Sequence, residues 1–305
     1  MTAPGGSFRQ LRVIVPFAII ILIWGSTWIV IKDQLGIVPP TWSVTYRFVI
    51  ACAAMFAYAL WTKAPLRMGW RAHLLAATFG IPQFVLNFNF VYFAEMYVTS
   101  GLVAVVFALL MVPNSALAWL FLKHRLTARF VLGSVIACAG VALLFVQEIR
   151  ASPASTREVL IGIGLTLLGV LSASAANIMQ ASRRLSARPI AVNLAWGMVY
   201  GVIGNAALAW LWFGPPMVEA RAGYWFGLFY LGLFASAAAF TLYFGIVRVV
   251  GPGKAAYSSL VIPVLAMAIS TVVEGYSWSA LAATGSLLAL AGMVIALRAE
   301  RKAEA

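Results

Sequence analysis

The sequence has few charged residues, and acidic residues are the scarcest of them. Lys and Arg number 21, Asp and Glu only 8, and charged residues make up 10% of the chain while 63% is hydrophobic. A chain of 305 residues with this composition has more apolar surface than a soluble core could bury. We therefore predict a polytopic membrane protein. The net charge of +13 falls in short segments between apolar runs, which argues against nucleic-acid binding.

Histidine and cysteine are also scarce. His73 and His124 lie far apart near the ends of apolar runs, and Cys52 and Cys138 are single residues within such runs. Neither pattern has the spacing of a metal site or of a disulfide framework. We therefore expect no metal, no cofactor and no enzymatic activity, and keep a membrane-embedded enzyme as a distant alternative.

Long apolar runs are what the sequence has instead. A hydrocarbon core of about 30 Å needs about 20 apolar helical residues. By that measure the chain has ten candidate spans, at 13–31, 41–61, 72–94, 101–122, 128–146, 159–180, 190–212, 224–247, 255–273 and 279–297. With the N-terminus inside, sixteen Lys and Arg fall on the inner side and four on the outer side. Both termini are therefore expected in the cytoplasm.

The two halves of the chain share motifs. "GSVIACAG", 133–140, matches "GSLLALAG", 285–292; Pro113 pairs with Pro263, and "VYFA", 91–94, pairs with "LYFG", 242–245. Matches in the same order indicate a duplication. Because each half has five spans, the second must enter the membrane from the opposite side. We predict an all-α protein of ten transmembrane helices, built from two five-helix inverted-topology repeats at 1–148 and 155–305, joined by an outer linker at 149–154, around a central cavity.

The stretch "WGSTWIVIKDQLGIVPPTWSVTYRFVIA", 24–51, resembles the opening of the EamA family in the drug/metabolite transporter superfamily. The ten spans and two halves are similar as well. The resemblance implies a secondary transporter, similar to bacterial inner-membrane exporters of amino acids and other small metabolites. In the second half "SASAANIMQ" replaces "WGSTWIVIK", so any role of Trp24 and Trp28 is not duplicated there.

Polar and aromatic residues within the spans are the candidates for a cavity. An uncompensated polar group in hydrocarbon is costly, so Gln83, Asn87, Asn177 and Thr241 should face protein or water. Hydrogen bonding between helices and contact with substrate are both open for them. The aromatic candidates, for which lipid contact and packing are the alternatives, are Trp24, Trp28, Phe90, Phe107 and Tyr257.

Arg47 lies within the second span, six residues after Thr41. Its guanidinium could extend to the outer interface or pair with Asp33 or Glu95. Alternatively it could anchor a substrate carboxylate, for which its planar group is suited. The sequence leaves both open.

The charge pattern narrows the substrate. Carriers of organic cations need a buried carboxylate, and carriers of nucleotide-sugars need several buried cations; the spans have no mid-span acid and only Arg47 and the terminal Lys32 as cations. We expect export of neutral or zwitterionic metabolites, most of all amino acids, aromatic or other apolar ones included, with a multidrug or nucleotide-sugar carrier as the alternative. The lack of a cavity-facing titratable group predicts an uncoupled facilitator. The expected partners are the substrate and the bilayer, and the sequence is compatible with a monomer.

Overall fold

The structure is a computed structural model, and it describes residues 5–123, 126–152, 154–250 and 258–303. These residues form helices and no strands. Nine helices in them are long and apolar enough to cross a membrane, and the described part of the ninth in chain order is a shorter apolar helix. We label them α1, Gly5–Asp33; α2, Pro40–Trp61; α3, Trp70–Ala94; α4, Ser100–Phe121; α5, Ala128–Ala151; α6, Thr156–Ala181; α7, Ile190–Phe213; α8, 222–250; α9, Ser258–Val273; and α10, Ala280–Ala303.

Local signals set several helix ends. Pro40 occupies the first turn of α2, where its missing N–H has no partner to lose. Ser155 and Glu158 form a capping box at the start of α6, each side chain bonding the backbone of the other. Gly214 ends α7 with a φ of 78°, a conformation that favours glycine.

The matched octets of the two halves pack directly against each other. A Cβ at Gly140 would lie 2.3 Å from the backbone N of Ala289, and a Cβ at Gly292 would lie 2.3 Å from the backbone N of Ala137. Backbones can approach this closely only where side chains are absent. Gly133 of α5 contacts Gly292 of α10, and Gly140, further along α5, contacts the earlier Gly285 of α10. These two helices are therefore antiparallel.

Other helix contacts occur in corresponding pairs, in which each helix of the first half is replaced by the helix five later in the chain and the reverse. α1 packs on α8 and α9, and α6 packs on α3 and α4 in the same way, while α2 packs on α7. Pairing of corresponding helices in opposite directions is the arrangement of inverted-topology repeats. The predicted fold of two five-helix repeats around a central cavity is therefore confirmed, whereas the boundaries at 148 and 155 stay a prediction.

Two helices contain π-helical segments that the sequence did not predict. They are Ile81–Leu86 in α3 and Tyr230–Ala238 in α8, and they overlap when Val91 is aligned with Leu242. A π segment leaves carbonyl groups misaligned, and side chains bond them here. Asn205 Nδ2 donates to Phe84 O at 2.9 Å, and Trp24 Nε1 donates to Ala235 O at 3.1 Å.

Candidate functional site

A cavity of about 270 Å³ lies between the two repeats. Residues of α1, α2, α3, α4, α6, α8 and α9 line it. It brings together seven of the ten residues selected from the sequence, namely Trp24, Trp28, Arg47, Gln83, Asn87, Phe107 and Asn177. Their position follows from the structure, and their role in binding a substrate stays a prediction.

Aromatic rings form one wall of the cavity. Trp28 lies 5.1 Å from Phe107, and Trp24 lies 5.6 Å from Phe240 and 5.3 Å from Tyr243 between ring centroids. These distances are typical of tilted and edge-to-face pairs. The rings therefore form two contacting groups, and both present apolar surface to the cavity.

Polar groups break this apolar surface at a few points. Asn177 Nδ2 donates to Asn114 Oδ1 at 3.5 Å, which links α6 to α4 across the cavity. Within the described chain, Trp28 Nε1 and Asn87 Oδ1 are buried and have no hydrogen-bond partner. A buried donor or acceptor without a partner is costly. Both groups are therefore suited to a polar ligand.

Arg47 is the charged residue among the described cavity residues. Its side chain is buried, with 1% relative exposure, so it does not extend to the outer interface. Nε donates to Ser236 Oγ at 3.1 Å, and the guanidinium carbon lies 4.4 Å from the ring centre of Phe88. The Tyr92 hydroxyl lies close enough to interact with the guanidinium, but neither this hydroxyl nor Arg47 Nη1 has a partner in full hydrogen-bond geometry within the described residues. One donor of the guanidinium thus stays available.

The expected partners of Arg47 are engaged differently. Asp33 forms an ion pair with Arg221 at 2.9 Å. Glu95 lies close to Arg47 without an ion pair between them, since the salt bridges of the described residues involve Arg221 alone. The interpretation of Arg47 as a snorkelling residue, or as one half of a salt bridge, is therefore wrong. It failed because residues of α3 and α8 contact and bury the guanidinium, which spacing along α2 could not reveal.

Three of the selected residues do not appear in the cavity lining. Phe90 is half-buried and absent from the lining, although Asn87, Phe88 and Val91 of the same helix line the cavity. Thr241 Oγ1 donates to Ala237 O at 2.8 Å, inside its own helix. Both were selected without knowing how their helices are rotated toward the cavity, which spacing along one helix does not fix. Tyr257 lies outside the described residues.

The sequence reasoning also missed several residues of the cavity. Asn114 is a polar residue in the middle of a span, next to the matched Pro113, and this signal was available in the sequence. Phe240 and Tyr243 were not distinguishable from lipid-facing aromatics. Their orientation depends on the π segment that precedes them.

The turn between α3 and α4 lies next to one end of the cavity, the end that the predicted topology places outside. Ile31 and Val91 are the outermost lining residues of α1 and α3, and Lys32 and Glu95 lie just beyond them. Lys32 Nζ donates to the backbone carbonyls of Glu95 and Val98. A lysine at the end of a helix satisfies carbonyls that lack an intrahelical partner. This contact fastens α1 to the end of α3.

Two carboxylates bind the first N–H groups of α4. Glu274, just after α9, accepts from the backbone N of Ser100 at 3.2 Å, and Glu148 of α5 accepts from the backbone N of Thr99 at 3.0 Å. The start of a helix stabilises negative charge through its free N–H groups and its dipole. Because Glu274 belongs to the second half and Ser100 to the first, this contact joins the repeats at the same end of the cavity.

The sequence matches the EamA-like transporter family twice, over residues 12–146 and over residues 160–298. The chain belongs to the EamA-like transporter family. It is therefore a multi-pass membrane protein of a bacterial transporter family, and the two matches correspond to its two repeats. This confirms the resemblance found in the opening motif.

Similar proteins support the same assignment within the EamA-like family. "Protein PagO" of Salmonella typhimurium is 24% identical over 95% of this chain and 92% of that protein. A "Probable amino-acid metabolite efflux pump" of the same organism is 23% identical over 91% of this chain and 92% of that protein. A solved crystal structure is similar with a TM-score of 0.69 at 21% identity, covering 97% of this chain and 99% of that one, which shows the fold alone.

Proposed function

We propose that this transporter exports small neutral or zwitterionic metabolites, most of all amino acids, across the bacterial inner membrane. Alternating access between the two repeats carries the substrate, and both termini lie in the cytoplasm. The small-molecule substrate and the bilayer are its proposed partners.

The free donor of Arg47 is the observation that carries this proposal. Arg47 Nη1 and Trp28 Nε1 are buried donors without a partner among the described residues, and Asn87 Oδ1 is a buried acceptor in the same state. A carboxylate fits the two donors, because guanidinium and carboxylate form short charge-assisted hydrogen bonds. An ammonium group fits the acceptor. These are the two ends of an amino acid.

The aromatic wall favours an apolar side chain on the substrate. Trp24, Trp28 and Phe107 offer ring faces that bury apolar surface, at roughly 25 cal/mol per Å². Such a surface discriminates weakly between side chains that differ by one methylene group. We therefore expect selectivity for large apolar and aromatic amino acids over small polar ones, with overlap between similar substrates.

The alternatives within the superfamily fit the cavity less well. An organic cation would need a carboxylate, and the described lining contains neither Asp nor Glu. A nucleotide-sugar would need several cations, and its size exceeds a cavity of about 270 Å³, which lies below the usual range of about 300–1,000 Å³. The name of the related efflux pump of Salmonella typhimurium agrees with an amino-acid substrate.

Uptake into proteoliposomes tests this function. Purified protein is reconstituted, and entry of labelled amino acids is compared with that of a nucleotide-sugar and a cationic dye. We expect exchange of apolar amino acids and no movement of the other two. Transport of the dye or the nucleotide-sugar without any amino acid would refute the proposal.

Two matched variants test the cavity itself. Phe107→Ala removes a ring from the lining, whereas Phe90→Ala removes the same side chain outside it. Phe107→Ala should lower the preference for aromatic over aliphatic amino acids about fivefold, since an aromatic contact is worth about 1 kcal/mol. Phe90→Ala should leave the preference unchanged. Equal effects of both substitutions would contradict the assignment of the cavity.

A further inference from the structure

Glu95 is a buried carboxylate that the transport function described so far does not use. It follows α3 directly, its relative exposure is 0%, and neither of its carboxylate oxygens has a hydrogen-bond partner among the residues described. Glu148 and Glu274 differ, since they accept hydrogen bonds from the first N–H groups of α4. Of these three outer carboxylates, only Glu95 lacks a donor to stabilise its ionised form.

Charged and titratable groups face Glu95 from several helices. They are Lys32 of α1, Arg47 of α2, Tyr92 of α3 and Glu274 after α9, with Glu148 of α5 beside Glu274. Neither cation pairs with the Glu95 carboxylate. Lys32 Nζ donates to backbone carbonyls, and Arg47 Nε donates to Ser236. Glu274, which accepts from Ser270 Oγ at 2.6 Å, adds a like charge nearby.

The free-energy cost of an ionised Glu95 depends on whether the outer end of the cavity is closed or open to water. An ionised carboxylate that is removed from water and left without donors is strongly disfavoured, and a bound proton removes that cost. The same carboxyl group in contact with water is ionised at any pH well above about 4.3. The two states of the outer end therefore differ in the number of protons that Glu95 holds.

We propose that Glu95 is a proton-binding site linked to closure of the outer end of the cavity. One proton from solvent binds a carboxylate oxygen of Glu95 as the contacts of Lys32 and Glu274 form, and it returns to solvent as they break. Closure takes up a proton, so acidification favours the closed outer end and alkalinisation favours the open one. This linkage does not depend on which substrate the cavity carries.

Thiol accessibility without substrate tests the linkage. In a Cys52→Ala, Cys138→Ala background in nanodiscs, Val98→Cys reports on the closed turn and Ile37→Cys, at an exposed loop position, provides the reference. The ratio of their modification rates cancels the pH dependence of thiol ionisation. With Glu95 present, the ratio should fall as pH is lowered from 8 to 5, by up to tenfold per pH unit, the limit for one linked proton.

Glu95→Gln is the decisive variant because its amide mimics the protonated carboxyl group in shape and charge. It should give a low ratio that does not change with pH. Glu158→Gln, an exposed outer carboxylate in the capping box of α6, should retain the pH dependence. Leu102→Cys, buried at the start of α4, is a second reporter in case Val98→Cys perturbs the turn. A slope that persists in Glu95→Gln, or a flat ratio at both reporters with Glu95 intact, would overturn the proposal.

Discussion

Substitution of Gly292 by alanine should destabilise the protein, whereas the same change at Gly164 should not. A Cβ at position 292 would lie 2.3 Å from the backbone N of Ala137 and 2.6 Å from the carbonyl oxygen of Gly133. Favourable contacts between heavy atoms lie at about 3.5–4.0 Å, so α5 and α10 would have to separate by more than about 1 Å. Overpacking of this kind costs about 1–3 kcal/mol.

Gly164 provides the matched control because it lies in α6 and nothing is within 4 Å of a Cβ built there. Alanine is favoured over glycine in a helix interior by about 1 kcal/mol, so Gly164→Ala should leave stability unchanged or raise it slightly. Thermal unfolding in detergent, followed by circular dichroism, should show the midpoint of Gly292→Ala lowered by about 3–10 °C. Equal midpoints for the two variants would refute the backbone contact between the repeats.

Three further predictions concern single contacts. Arg47→Gln should raise the KM for an amino acid about 10–100-fold, because a charge-assisted hydrogen bond is worth about 1.5–3 kcal/mol. The KM for the corresponding amino-acid carboxamide, which has no carboxylate, should not change. If proteoliposome uptake of both compounds fell equally, Arg47 would not be the anchor of the substrate carboxylate. Asn205→Leu should lower the free energy of unfolding by about 1–3 kcal/mol, measured by chemical denaturation in detergent, because it leaves the π-segment carbonyl of Phe84 without its side-chain donor and leaves Asn89 Nδ2 only its bond to Val85 O. Asp33→Asn should change stability by less than about 1 kcal/mol, since its ion pair with Arg221 is exposed.

The architecture could be predicted from the sequence because membrane-spanning helices have a distinctive apolar composition. Spans of about 20 apolar residues gave the number of helices, and the odd number of spans in each half predicted the inverted-topology repeat. The matched glycine octets indicated the duplication, but the sequence did not show that the two helices carrying them pack against each other.

The site was less accessible to sequence reasoning because it depends on helix rotation. Gln83 and Asn87 were placed correctly, since polar side chains in a span must turn away from lipid. Phe90 and Thr241 do not appear in the lining. The rotation of each helix toward the cavity, to which its π segment contributes, cannot be read from the hydrophobic pattern. Burial of Arg47 and Glu95 depends on neighbouring helices, which a single sequence does not show.

The contact between α5 and α10 has the self-complementarity of a homodimer interface. Residue 133 meets the region of residue 292, and residue 140 meets that of residue 285, as in an isologous pair of identical subunits. Two identical halves would populate the outward-closed and inward-closed states equally, by symmetry alone. In this chain, any difference in population must come from positions where the halves differ. Glu274, which aligns with His124 when Pro263 is matched to Pro113, is one such position.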